Sequence, residues 1–505
     1  YLHFEQSTQQ VEAIQNYVHC VKRFENSGIG RINLSSLFTE TCIRLINTSA
    51  GGKAGIIVPS GIATDSFTQK LFSFIIDTKL LKSLYDFENR VKVFPDVDSR
   101  QKFSLLTLGS SPSADFACFL HSIQDLEDDR RHFELTAEDF DLINPNTHTL
   151  PIFRSKMDAD LAKKIYRRVP VLIDESKGDK GNPWKIQFQL MFMMNTASSI
   201  FLDAPIEESY PLYEAKMLHQ YDHRWATYDS NGIIRDVTIE EKMNPDYEVT
   251  PRYWVPKREV LNRIADVPDS VRKAWYAGEE HELRMALAAC GDKELNQLAT
   301  VDNLMKKMDQ VMDERSPKWL MGWRDIVRAT DERTVIASVF PRSAVGDTFL
   351  LMMPKRVKGE LLALLLADQN SLVHDYCARQ KVGGVHLKFF TKKQLPNLSL
   401  ELYPNKSKEY IVELVRKLTI TSKSMNGWAE ELGAISQINL FDSEKRSEII
   451  AELDALYARL YGLNREELMY ILDPESVMGD GYPSQTFPGL KNKELREYGE
   501  YRTMR

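Results

Sequence analysis

Cysteine is sparse in this chain. Five residues in 505 (Cys20, Cys42, Cys118, Cys290 and Cys377) are odd in number and widely scattered. They form neither a CxxC pair nor a disulfide framework, which excludes a stapled secreted scaffold and predicts a reducing cytoplasm. Long apolar runs are missing as well. No stretch of about 18 apolar residues occurs, so no membrane span is predicted, and the mean hydropathy is −0.36. Phosphate-cradling loops of the GxGxxG or GxxxxGK type are absent, as is the GxSxG turn of serine hydrolases. Positive charge is not in excess: 65 Lys and Arg face 72 Asp and Glu, a formal net charge of −7. A histone-like or polybasic-tail protein is thereby excluded, while a local basic groove is not. Tandem repeats and low-complexity tracts are also missing.

What is present reads as about three domains' worth of α/β sequence. The chain opens on Tyr1-Leu2-His3-Phe4, without the charged and apolar regions of a signal peptide, and stops in the charged helical pattern Glu500–Arg505 without a C-cap. Both ends read as cut, and a fragment of a longer protein is expected. Over 1–125, apolar spacing predicts helices at 8–24 and Leu34–Ile46. A fully buried strand is expected at Ala54–Pro59, a helix near 65–78, and strands at Leu81–Phe87 and Lys102–Leu108. Strand-helix-strand order with two-sided apolar strands implies the edge of a doubly wound sheet. The acidic stretch 122–142 reads as a solvated connector. A helix is predicted near 157–168, mixed strands and helices over 181–400, and a mostly helical region over 401–505.

Metal chemistry finds little support. His219 and His223 are spaced i, i+4, yet no third ligand of matching spacing lies near and their setting reads as strand or loop. No metal is expected, and no catalytic nucleophile or acid–base pair is singled out. Three segments combine cations with aromatics or glycines: Lys216–Trp225, Trp323–Ser338 and Arg379–Lys388. Between 340 and 395, nine cations (Arg342, Lys355, Arg356, Lys358, Arg379, Lys381, Lys388, Lys392, Lys393) face four acids. Such an excess suits a groove that tracks phosphates, with glycines admitting the backbone close to them.

At these residues the chain resembles the C-terminal part of the Eco57I-type class I SAM-dependent DNA adenine-N6 methyltransferases, a family that includes restriction-modification and phage-defence methylases. The resemblance runs through Asn33–Phe38, Gly55-Ile56-Ile57-Val58-Pro59-Ser60-Gly61-Ile62-Ala63-Thr64-Asp65, Leu84–Arg90, Lys102–Leu108 and Leu142–Thr147. It continues through the three cationic segments to Leu453–Leu463. It implies a remnant of a Rossmann-like methyltransferase sheet (1–125) and a connector (126–180). An α+β target-recognition domain (181–400) and a helical C-terminal region (401–505) follow. The activity implied is methyl transfer from S-adenosylmethionine to adenine N6 in double-stranded DNA, with the base flipped out. The resemblance also implies a prokaryotic, cytoplasmic protein.

The chain departs from that family at the chemistry itself. It has no Asn-Pro-Pro-aromatic loop, since Asn182-Pro183-Trp184 and Asn144-Pro145-Asn146 carry one proline each. The glycine loop that holds SAM is missing too. The resemblance therefore implies that SAM binding and catalysis belong to a missing N-terminal half, and that this chain alone is inactive. Arg324, Arg328, Arg333, Lys381, His386 and Lys388 are the DNA-contact candidates it implies, with Tyr221, His223 and Arg224 second. Phe103 is the candidate for the flipped-base pocket. The alternative is a non-catalytic specificity subunit acting with a separate methyltransferase chain. Self-association is expected of an isolated, truncated sheet.

Overall fold

The computed structural model describes residues 2–292, 298, 300–355, 357–435 and 437–505; Arg356 lies outside them. Its first sheet contains β1 (Ala54–Pro59), β2 (Leu81–Glu88), β3 (Lys102–Leu108), β4 (Ala114–Leu120) and β5 (Phe133–Leu135), in the order β1-β3-β2-β4-β5. β3 runs antiparallel to both β1 and β2, so those two point the same way; β4 is parallel to β2, and β5 antiparallel to β4. One face is covered by the helix Gln69–Asp77, whose Leu71, Phe72, Ile75 and Ile76 are buried, and by the helix Ala137–Ile143 through Phe140 and Ile143.

Two expectations are corrected here. β1 is not buried on both faces: Gly55, Ile57 and Pro59 are exposed, and β3 is its single strand partner among the described residues. The acidic stretch is not a mere connector, because β5 and the helix after it belong to the sheet. Its carboxylates stand on turns and helix starts, where Thr136 and Asp139 form a reciprocal cap, while Phe133, Leu135, Phe140 and Ile143 go into the core.

β4 carries a bulge. Tyr85 pairs with Ala117 and Phe87 with Leu120, so three residues on β4 answer two on β2. The extra residue is Phe119, with φ at 59°. That left-handed conformation costs a residue with a Cβ about 1–2 kcal/mol. A bulge re-aims the side chain it carries.

The second half is built on an antiparallel sheet of β6 (Ile186–Gln189), β11 (Trp319–Arg324), β12 (Ala337–Pro341) and β14 (Phe349–Pro354), in the order β12-β11-β14-β6. Between β6 and β11 the chain forms β7 (Ser209–Tyr213), a small hairpin of β8 (Ala226–Tyr228) and β9 (Ile234–Asp236), β10 (Trp254–Pro256) and helices. β10 and the two-residue β13 (Ala344–Val345) flank β7. The helix Gly359–Asn370 is almost wholly buried, apolar over Leu361–Ala367 and polar in its last turn, where Asp368 accepts from Tyr461 Oη at 2.7 Å and Asn370 donates to the Ala337 carbonyl at 3.0 Å. The helices Leu372–Arg379, Asn405–Thr419 and Ser443–Leu460 pack about it.

One hydrophobic core runs from Val58 in the first sheet to Leu490 near the C-terminus. The helix Lys156–Arg168 is its bolt. Tyr166 Oη donates to the Gln394 carbonyl at 3.0 Å and Arg168 Nε to the Leu460 carbonyl at 2.9 Å. Asp158, fully enclosed, accepts from Tyr376 Oη at 3.1 Å and Tyr470 Oη at 3.0 Å.

Asp375 makes the sharpest stability test. Its enclosed carboxylate accepts the N–H groups of Thr334 (2.9 Å) and Val335 (3.0 Å) and pairs with Arg379 at 3.3 Å. Asp375→Ala leaves the two N–H groups without their acceptor and the buried Arg379 charge without its carboxylate, although carbonyls still hold that guanidinium, and should cost about 3–5 kcal/mol, read as a lower urea midpoint. Asp375→Asn, which keeps one acceptor, should cost less.

Candidate nucleic-acid interface

A cleft of about 520 Å³ opens between the two halves. The first sheet contributes Pro59, Ser60, Gly61, Asp86 and Lys102, and the second half contributes Gly383, Gly384, His386 and Phe390. Segments far apart in the chain thus face each other. On the sheet side Asp86 is buried, accepts from Ser104 Oγ at 3.0 Å and also takes the Ser60 hydroxyl. Burial raises its pKa, against the lowering effect of the Ser60 hydrogen bond.

The opposite wall hangs on Asp325, at the end of β11. This carboxylate is 2% exposed. Its Oδ2 accepts His386 Nδ1 at 2.9 Å and Lys388 Nζ at 2.6 Å. The backbone doubles the tie: Leu387 N donates to Asp325 O at 2.7 Å and Val327 N to Val385 O at 3.2 Å. With Nδ1 held by a carboxylate, His386 carries its proton there and turns Nε2 away from it. The Lys388 side chain is half exposed. Gly383 and Gly384 sit at the tip of this wall, and a Cβ on Gly384 would meet nothing within 4 Å. Asp325 carries no sequence signal, because nothing in its neighbours marks it as the buried anchor.

A second cleft, of about 690 Å³, adjoins the first and shares Lys102, Ile152, Gly383 and Gly384 with it. Arg90, His121, Arg154 and Arg328 line it. Its one carboxylate on the sheet side, Glu88, faces Arg90 at 2.6 Å, Lys102 at 2.9 Å and His121 at 3.3 Å. Two permanent cations against one acid leave that wall positive. Glu88 itself is partly desolvated, but Lys102 and Arg90 hold its pKa below the usual range.

Of the residues singled out from sequence, His386 lines the first cleft and Arg328 the second, both in exposed positions; Lys388 stands beside His386 on the Asp325 anchor but opens onto a further cleft of about 420 Å³, with Phe389 and Lys393. The others are placed differently, and the expectation of DNA contact is corrected for them. Arg224 is fully enclosed, with its guanidinium on the carbonyls of Asn244 (2.8 Å), Lys242 (2.7 Å) and Thr421 (2.9 Å). His223 Nε2 meets Ser422 Oγ at 2.9 Å, and Tyr221 lies in the core at a left-handed turn. Lys216–Trp225 is a plug beneath the buried helix Gly359–Asn370, where Gln220 bridges the carbonyls of Val335 and Asn370. The two histidines share no helix face: His219 stacks on Trp225 at 4.2 Å, away from the His223 contact.

Arg333 is buried against Asp454 at 3.3 Å. Arg324 grips the Leu218 carbonyl, and burial pushes its pKa down to about 10. Lys381 lines the first cleft but its ammonium is tied to the carbonyls of Ile143 and Gln394, both at 2.6 Å. The cation-rich stretch 340–395 is therefore not one surface: Arg379 and Lys392 are buried as well. Phe103 faces the other side of β3 from Lys102 and Ser104. It stacks on Phe87 at 5.2 Å and lines neither cleft, because strand alternation turns it away.

No protein-family model matches the chain, and no curated protein matches it. Among solved structures, the type IIG restriction endonuclease BpuSI aligns with 86% of this chain and 50% of its own, at 14% identity and a TM-score of 0.28. The type IIL restriction-modification enzyme MmeI, solved in complex with DNA, aligns over the same shares at 10% identity and a TM-score of 0.33. The chain spans about half the length of each. At those scores the likeness carries no argument, and the functional reading rests on the chain's own residues.

His223 yields a pH test. Burial, then the neighbouring Arg224 charge, pushes its pKa down to about 3, whereas an unfolded histidine titrates near about 6.5. Between those values the unfolded chain binds a proton that the folded chain does not. Stability is therefore lost as the pH falls through this window, by about 1.4 kcal/mol per pH unit. His223→Gln should make the pH dependence of stability shallower by about that amount, with His219 and His374, whose pKa values burial also lowers, still contributing; urea unfolding of both proteins between about pH 6 and about pH 4 reads it.

Proposed function

We propose that this chain is the DNA-recognition and partial methyltransferase portion of a site-specific DNA adenine-N6 methyltransferase of a restriction-modification or phage-defence system. Double-stranded DNA would lie along the paired clefts. The observation that carries the reading is their composition. The segment Gly55–Asp65 and the segment Arg379–Lys388, both part of the sequence resemblance, form opposing walls of one cleft. Exposed cations and glycine backbone on such walls suit phosphates, and His386 Nε2 suits a base edge or a phosphate.

S-adenosylmethionine does not fit the residues present. The chain holds no Asn-Pro-Pro loop and no glycine-rich SAM loop, and its residues supply no methyl-transfer step. In this proposal the cofactor and the catalytic step belong to an N-terminal half of the full-length protein, and the chain by itself is inactive. The free edge of β1, with Ile57 60% exposed, and the exposed Val11, Ile14 and Phe38 of the first two helices are the surface that half would cover. The isolated chain would self-associate through the same surface. Among the described residues no helix is long and apolar enough to cross a membrane.

Fluorescence anisotropy with duplex DNA tests the reading. Affinity should fall steeply between about 50 and about 200 mM salt, with a log–log slope near −0.9 per phosphate contacted. Lys388→Ala and Arg328→Ala should each make that slope shallower by about one. Lys445→Ala, exposed on a remote helix, should leave it unchanged. Absence of binding at the lower salt, or binding without salt dependence, would contradict the proposal.

A further inference from the structure

The second cleft has a feature that phosphate binding does not use. The β4 bulge takes Phe119 out of the sheet's alternation, because Ala117 and Leu120 together occupy the small apolar cluster against Phe87. A left-handed φ at a phenylalanine is maintained only where surrounding structure enforces it, and such strain gathers at ligand sites. Here it turns a half-buried ring into the cleft. Arg154 lies over that ring, its guanidinium carbon 4.4 Å from the centroid, and Lys102 Nζ stands at 5.5 Å. Arg154 donates to the Gln485 carbonyl at 2.7 Å, and no acid lies within ion-pair distance of it or of Arg328 among the described residues. An aromatic ring and a guanidinium plane, with Arg328 beside them and Lys102 shared with Glu88, match a planar base joined to an anion.

We propose that this cleft holds an unpaired nucleobase of a DNA strand, which takes the Phe119 face that Arg154 now covers, with Arg154 turned onto the adjoining phosphate beside Arg328. The proposal rests on the DNA reading above and adds the site. Gly383 and Gly384 border both clefts, beside Ile152 and Lys102, so backbone rather than bulky side chains forms that part of the wall where the clefts adjoin.

The test uses the chain as it stands and a short single-stranded oligonucleotide carrying one 2-aminopurine. Binding should quench the 2-aminopurine, and an oligonucleotide abasic at that position should bind about tenfold more weakly. Phe119→Leu, which keeps apolar bulk, should lose the quenching and about tenfold in affinity. Phe119→Trp should retain both, and Arg154→Gln should weaken binding, so the outcome does not depend on one variant folding. Equal binding of the abasic strand, or quenching unchanged in Phe119→Leu, would overturn the proposal. So would displacement of the oligonucleotide by adenosine monophosphate at equal concentration, which would mark a free-nucleotide site. Duplex binding is measured alongside. Salt-dependent duplex binding without quenching sinks this site and leaves the functional reading standing; quenching through Phe119 without duplex binding does the reverse.

Discussion

The paired clefts depend on one buried carboxylate. Asp325 draws His386 and Lys388 onto the end of β11, and with them the exposed loop that carries Gly383 and Gly384. A charge at 2% exposure is tolerable only when it is met by donors. Here the donors are His386, which faces the first cleft, and Lys388 beside it. The same loop is locked from behind, where Trp323 Nε1 donates to the Leu387 carbonyl at 2.8 Å. Anchor and loop are thus tied at several points, while the loop's tip stands in solvent.

Around that anchor the rest of the chain keeps two sheets at a fixed spacing. The helix Lys156–Arg168 joins the first sheet to the C-terminal helices through a shared core. The turn at Asn144–Thr149 is clamped by Gln394, which reaches Thr147 Oγ1 at 2.6 Å and accepts the Asn146 N–H at 3.2 Å. Lys381 completes the join by spanning Ile143 and Gln394. Few of these contacts are apolar side-chain packing alone. They are charged or amide groups satisfying carbonyls of irregular backbone, which would otherwise be buried without partners.

That habit explains which features are legible in the sequence and which are not. β2 and β3 are legible because each is an apolar run bounded by turn residues, and their observed limits match the expectation almost residue for residue. The helical C-terminal region is legible in the same way, whereas the buried helix Gly359–Asn370 falls inside a stretch that reads only as mixed strands and helices. β1 misleads because Ile56-Ile57-Val58 reads as two-sided burial whether or not a neighbour is there to provide it. β5 is hidden by acids that serve as caps. Among the cations, composition cannot tell Arg224, whose guanidinium meets four carbonyl oxygens, from Arg328, which faces solvent. Asp325 and Phe119 are beyond reach for a different reason. One acts through a tertiary contact, and the other through a strand register that only the paired sheet defines.

The functional reading requires DNA to lie along these two clefts. The most direct measurement is photo-crosslinking of a bromodeoxyuridine-substituted duplex to the chain, with the adducts mapped by mass spectrometry. Adducts are expected on peptides holding Arg90, Arg328 and Gly383–Lys388. Adducts confined to the separate cleft lined by Arg263, Arg272 and Arg315, with none at Gly383–Lys388, would contradict it.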